Sequence, residues 1–167
     1  MTPLGAVLRG VIAGAVGTVA MDTVWFARHR RDGGRGGFVE WQFGSGSETW
    51  EDAPVPAQVG KRLAEGFLQR ELKPERARLV TSIVHWATGV LWGAAYGVAA
   101  GSSGRRSIRG GVPFGLLVWT SGYVILAPSG LYKPMWEYDA VTLWKDASAH
   151  VAYGLGTAAA FRALAGR

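Results

Sequence analysis

Four side chains in this sequence could do chemistry together, and each falls within an apolar run: Asp22, His85, Asp146 and His150. An ionisable group inside a hydrophobic stretch is costly to keep there and marks a working site by default. Asp146 and His150 are four residues apart, which puts both on one face of a helix. Two imidazoles and two carboxylates from three helices admit four kinds of role. They could bind a divalent ion such as zinc, iron or manganese, which imidazole and carboxylate suit. His85 and His150 could be the axial ligands of a haem held between helices. They could pass protons, because histidine titrates near neutral pH and carboxylates tune it. Or Asp–His hydrogen bonds could simply hold helices together. No Ser-His-Asp or Glu-x-x-His pattern accompanies them, so nothing argues for a hydrolase or a transferase. The chain has no cysteine, which excludes disulfides, thiolate-held clusters, zinc ribbons, thiol catalysis and a Cys-x-x-Cys-His haem attachment.

The elements that must position these groups are apolar helices. Of 167 residues, 49% are hydrophobic and only 18% charged, and the mean hydropathy is +0.11. A soluble domain carries about a quarter charged residues. Here the charges gather in a few blocks, with long nearly uncharged stretches between them, the pattern of membrane spans joined by wet loops. The expected fold is an all-α integral membrane bundle in a single domain, 1–167. Its four spans run at about 4–27, 79–100, 112–127 and 140–163, with one extramembrane segment at 28–78. The third is the shortest and is closed by Pro128-Ser129-Gly130. The first run is too long for a signal peptide and lacks a basic leader, so it reads as a retained helix. Trp25, Trp86, Trp136 and Trp144 fall near the same end of the four spans, as an interfacial aromatic belt does.

Within 28–78 the first part is Gly-rich (Gly33-Gly34-Arg35-Gly36-Gly37, then Gly44-Ser45-Gly46) and reads as flexible. Gly44 and Gly46 are no phosphate loop, since no strand precedes them and no Gly-Lys-Ser/Thr follows. Val55, Val59, Leu63 and Phe67 then recur every four residues, which predicts an amphipathic helix on the membrane surface. Pro74-Glu75 reads as the first turn of the helix that becomes the second span.

The formal net charge of +6 sits in loops flanking the apolar runs, so anionic lipid headgroups, not nucleic acid, are its expected partner. The side holding both termini carries Arg9, Arg105, Arg106, Arg109, Arg162 and Arg167 and no acid, and is read as cytoplasmic. The opposite side carries more Lys and Arg in all, including Arg28, Arg30 and Arg31, but those three also suit a helix C-terminus.

The halves of the chain resemble each other. Gly10-Val11-Ile12-Ala13-Gly14 matches Gly111-Val112-Pro113-Phe114-Gly115, and His85-Trp86-Ala87-Thr88-Gly89 matches His150-Val151-Ala152-Tyr153-Gly154. This predicts two parallel-repeat hairpins about an axis along the membrane normal. Under this alignment Asp22 corresponds to Tyr123, which adds Tyr123 to the candidate site. Gly10, Gly14 and Gly17, with Gly89, Gly93 and Gly97, are read as helix-packing positions.

The stretch His85 to Tyr96, the Gly111-rich third span, then Pro128, Gly130, Pro134, Trp136 and Tyr138, and finally Asp146 to His150 together resemble the YagU family of bacterial inner-membrane proteins. The resemblance implies a helical inner-membrane protein with both termini in the cytoplasm, and it implies no chemistry. The expected function is a conduit or sensor for protons, ions or a small solute, acting as a homo-oligomer. The alternatives are a non-transporting accessory subunit and a metal- or haem-binding membrane protein.

Overall fold

The computed structural model describes residues 1–44, 49–51, 53–104, 107–128 and 130–166. Ser45 and Gly46 of the Gly-rich stretch, Ser129 of the Pro-Ser-Gly break, and the arginines Arg105, Arg106 and Arg167 lie outside the described residues.

The described chain is all-helical. Six α-helices follow one another: α1 (Pro3–Arg31), α2 (Phe38–Gly44), α3 (Val55–Leu68), α4 (Ala77–Ser103), α5 (Gly111–Leu126) and α6 (Ala140–Ala165). Short 3-10 turns at Pro74–Arg76, Ile108–Gly110 and Met135–Glu137 lead into α4, α5 and the α6 cap. The ends are set by local chemistry. Thr2 caps α1, its Oγ1 accepting from the Gly5 amide at 3.1 Å, and Pro3 opens the first turn. Asp139 caps α6 by accepting from the amide and the hydroxyl of Thr142, at 2.9 and 2.6 Å. Those hydrogen bonds hold the Asp139 carboxyl below the usual range. Gly104, at φ +66°, ends α4 in the left-handed conformation that costs glycine nothing.

Two helical runs, Pro3–Arg31 and Pro74–Ser103, are long and apolar enough to cross a membrane. The expected third and fourth spans form helices at the expected places without meeting that measure. Helix α5 has 16 residues, or about 24 Å of helix against the roughly 30 Å of a bilayer core. Helix α6 has the length, but Lys145, Asp146, His150 and Arg162 make it too polar.

Packing puts small residues inside and large apolar ones outside. Ala13, Gly10, Gly14, Gly17 and Thr18 of α1 are buried, while Leu8, Ile12, Val16 and Val19 of the same helix are exposed. Helix α1 packs along both α4 and α6, and α5 packs along α6. The core beside α1 is closed by rings: Tyr96 lies 5.7 Å from Phe161 and 4.7 Å from Phe114.

The hairpin likeness read from the sequence is present with a shifted register. A Cβ at Gly10 would meet the Gly93 carbonyl and Ala94 Cα, and one at Gly111 would meet the Gly154 carbonyl and Leu155 Cα. Likewise Gly14 abuts the carbonyl of Gly89, and Gly115 that of His150. Gly93 therefore corresponds to Gly154, and His85 to Asp146, one helical turn from the alignment that equated the two histidines. The match of Asp22 with Tyr123 stands. The likeness stops at the hairpins: α1 packs along α6, but α5 does not pack along α4, as a two-fold axis would require.

Among the described residues of 28–78, those around 33–37 make specific contacts with α1. Phe26 of α1 packs at 5.4 Å on Phe38 and at 5.6 Å on Trp41 of α2, and Arg30 donates to the Gly34 and Gly36 carbonyls at 3.2 and 3.4 Å. Helix α3 does form, but it docks on α4 through its small residues. Ala57 is buried against Ala53 and Ala77, and Gly60 sits against Val80 and Val84. Leu63 and Phe67 of the expected apolar stripe stay exposed. Of the expected belt, Trp136 and Trp144 are widely exposed, whereas the Trp86 indole nitrogen is buried without a hydrogen-bond partner among the described residues.

Both termini sit at one end of the bundle, where Arg9 donates from Nε to the Leu164 carbonyl at 2.9 Å and so caps the last turn of α6. Arg9→Met removes this charge-assisted bond, and we expect it to lower stability by about 0.5–1.5 kcal/mol. Thermal unfolding in detergent, followed by circular dichroism, checks this; a melting curve superimposable on the native one would mean that the cap contributes nothing.

Candidate functional site

The site residues come from the four long helices. Asp22 lies on α1, His85 on α4, Tyr123 on α5, and Asp146 with His150 on α6. They form two groups on one cleft between α4 and α5.

In the first group His85 Nε2 stands 2.8 Å from Asp22 Oδ1, a bond that links α4 to α1. The carboxylate oxygen can only accept, so the ring donates to it through Nε2. Asp22 is only 3% exposed, and its second oxygen, Oδ2, has no hydrogen-bond partner among the described residues.

The second group gathers around Asp146. His150 Nδ1 is 2.9 Å from the Asp146 main-chain oxygen and 3.2 Å from its Oδ1. With two acceptors before it, Nδ1 is the nitrogen that donates. Trp119 Nε1 donates to Asp146 Oδ2 at 3.0 Å, and the Tyr123 hydroxyl donates to the same oxygen at 3.4 Å. The pair Tyr123–Asp146 thus occupies in the second hairpin the place that Asp22–His85 holds in the first. Tyr132, from the segment between α5 and α6, stacks on Tyr123 at 5.1 Å. Burial and then the Asp146 charge push its phenol up to about 12, so it stays neutral at any working pH.

His85 and His150 line one hollow of about 110 Å³. It adjoins a larger cavity of about 230 Å³, lined by Asp146 and His150 with Trp92, Trp119, Tyr123 and Tyr132. The two share Thr88, Trp92 and Val118 of the cleft walls, and Pro56 of α3 closes over both. The Tyr153 hydroxyl donates to the Gly89 carbonyl at 2.6 Å and ties α6 to α4 beside the smaller hollow.

The geometry bears on each reading of the four residues. Among the described residues no three His, Asp or Glu side chains are placed to hold one metal ion. The hollow that both histidines line, at about 110 Å³, lies well below the roughly 300–1,000 Å³ of pockets for larger ligands, so no haem fits between the two rings as they stand. What remains is two separate His–carboxylate pairs, each with one free ring nitrogen, on a shared cleft.

Sequence reasoning found five residues here and missed Trp119, Tyr132 and Tyr153. Trp119 carried a usable signal, since a tryptophan in mid-span is out of place for an interfacial belt and needs a partner for its N–H. Tyr132 and Tyr153 had none, because their partners are distant in the chain. No protein-family model, no curated protein and no solved structure matches this chain.

Proposed function

We propose that this chain is a multi-pass membrane protein whose His/Asp cleft is a conduit or sensor for protons or a small solute. In this reading α1, α4, α5 and α6 are four spans, α3 rests its exposed Leu63 and Phe67 in the lipid surface, and the protein works as a homo-oligomer. The apolar outer faces and small-residue interior support membrane embedding. The resemblance to the YagU family read from the sequence is what supports a bacterial inner membrane with cytoplasmic termini. One observation carries the functional part: His85 and His150 line the same hollow, and each ring has one nitrogen held by an aspartate.

A second reading, a structural or accessory subunit, is favoured by one feature. Asp22 is almost wholly buried and its bond to His85 joins two helices, as interhelical glue would. The double variant His85→Gln/His150→Asn separates the two. Each amide keeps a donor near the original position, yet neither titrates. In liposomes holding a pH-sensitive dye, the native protein should dissipate an imposed pH gradient and the variant should do so at least about tenfold more slowly, a barrier change of about 1.4 kcal/mol. Native protein no faster than empty liposomes, or a variant as fast as native, sinks the conduit reading.

A further inference from the structure

We infer that the larger cavity is a binding site for an organic cation, a compact ammonium group with apolar substituents. The inference names the solute class of the cleft and rests on its reading as a solute site.

The lining decides the chemistry. Among the described residues Asp146 supplies the only carboxylate in the cavity wall, with its side chain about a quarter exposed, at 26%. Trp119 and Tyr123 donate to one of its oxygens and so fix the carboxylate in place. Trp92, Trp119, Tyr123 and Tyr132 supply ring surfaces, and the remaining wall is largely aliphatic, as at Val84 and Val118. Among the described residues no Lys or Arg lines this cavity. Arg28 of α1 reaches α6 at the Lys145 carbonyl and the Ser148 hydroxyl, to which it donates. At 100° per residue those positions face away from Asp146 and His150.

An anion would meet the Asp146 charge with only His150 beside it, and the Nδ1 of that ring is already turned onto Asp146. A small hard metal ion wants several oxygen ligands, and only one carboxylate is offered. A neutral apolar solute would leave that carboxylate to be desolvated with nothing gained. A cation with apolar substituents uses every part of the wall: its charge meets Asp146 and the ring faces, and its alkyl groups meet the aliphatic side chains. Aromatic cages recognise quaternary ammonium groups in this way.

The probe is radiolabelled tetraethylammonium, in equilibrium dialysis against the full chain in detergent. Saturable binding is expected for the native protein. Asp146→Asn, which keeps the shape and removes the charge, should weaken it at least about tenfold. Tyr132→Leu, outside the long helices and so little threat to folding, should weaken it about two- to tenfold by removing one ring. No saturable binding by the native protein overturns the inference, as does a folded Asp146→Asn or a Tyr132→Leu that binds like native. Short-chain phosphatidylethanolamine tells a lipid headgroup from a free amine as the natural source: competition points to the headgroup, and its absence beside competition by free alkylamines points to the solute. Either result supports an ammonium site. Dialysis needs no gradient, so cation binding without proton flux, or flux without binding, shows which of the two proposals has failed.

Discussion

Replacing Gly93 with leucine should keep α1 and α4 from packing and leave little folded protein. The two backbones touch here. A Cβ at Gly93 would stand 2.5 Å from the Gly10 carbonyl oxygen and 2.7 Å from the Gly14 nitrogen, and would also strike Gly14 Cα. Each of these is a backbone atom of a long helix, so no side chain can swing aside and the helices must part. Because α1 also packs along α6, that displacement reaches the whole bundle. Overpacking costs about 1–3 kcal/mol where neighbours can adjust; against backbone alone we expect the top of that range for Gly93→Ala and more for leucine. Gly66→Ala is the control. It lies in α3 with nothing within 4 Å of the added carbon, and it should be neutral or gain up to about 1 kcal/mol of helix propensity. Yield of monodisperse protein and the unfolding midpoint in mixed micelles are the readouts. A Gly93→Leu protein that purifies and unfolds like native would refute the close helix contact.

His85→Ala should be the most damaging change at the cleft. It leaves the almost wholly buried Asp22 with neither oxygen hydrogen-bonded, since Oδ2 already lacks a partner. Breaking a buried pair by removing one member costs about 3–5 kcal/mol. His85→Gln keeps a donor for Oδ1 and should cost far less. The double variant Asp22→Ala/His85→Ala removes the orphaned carboxylate along with its partner. It should therefore be more stable than His85→Ala alone, with a coupling of about 1.5 kcal/mol or more between the sites. Unfolding midpoints for the four proteins of the cycle measure that coupling. Additive costs would mean that Asp22 does not depend on His85, and the pair would lose its place in both functional readings.

Much of the helical layout was legible in the chain. Thr2-Pro3, Pro74, Gly104 and Asp139 lie at the helix boundaries for local reasons of capping and backbone geometry, and they are readable without a partner in view. The four polar candidates were legible too, because a charge in an apolar run stands out at any distance from its partner. Their grouping was not. The expectation was a single set of four, and the fold makes two pairs, with Tyr123 joined to Asp146.

The misread register has a plain cause. Gly89, Gly93 and Gly97 offer three nearly equivalent small surfaces, one per turn, and a short motif cannot say which turn faces Gly14. Only the packed helices choose, and their choice moves the counterpart of His85 from His150 to Asp146. Helix α3 was legible as an amphipathic helix from Val55, Val59, Leu63 and Phe67, but its contact with α4 was not, because that contact runs through Ala57 and Gly60, which are too small to give a periodic apolar signal. The sequence alone thus determined the helices, many of their ends and the presence of polar groups within apolar runs, because these depend on neighbours within a few residues. The tertiary structure decided which carboxylate meets which imidazole and which rings wall the cavity, because those contacts join residues up to 64 apart, as Tyr153 to Gly89, through close approach of backbones.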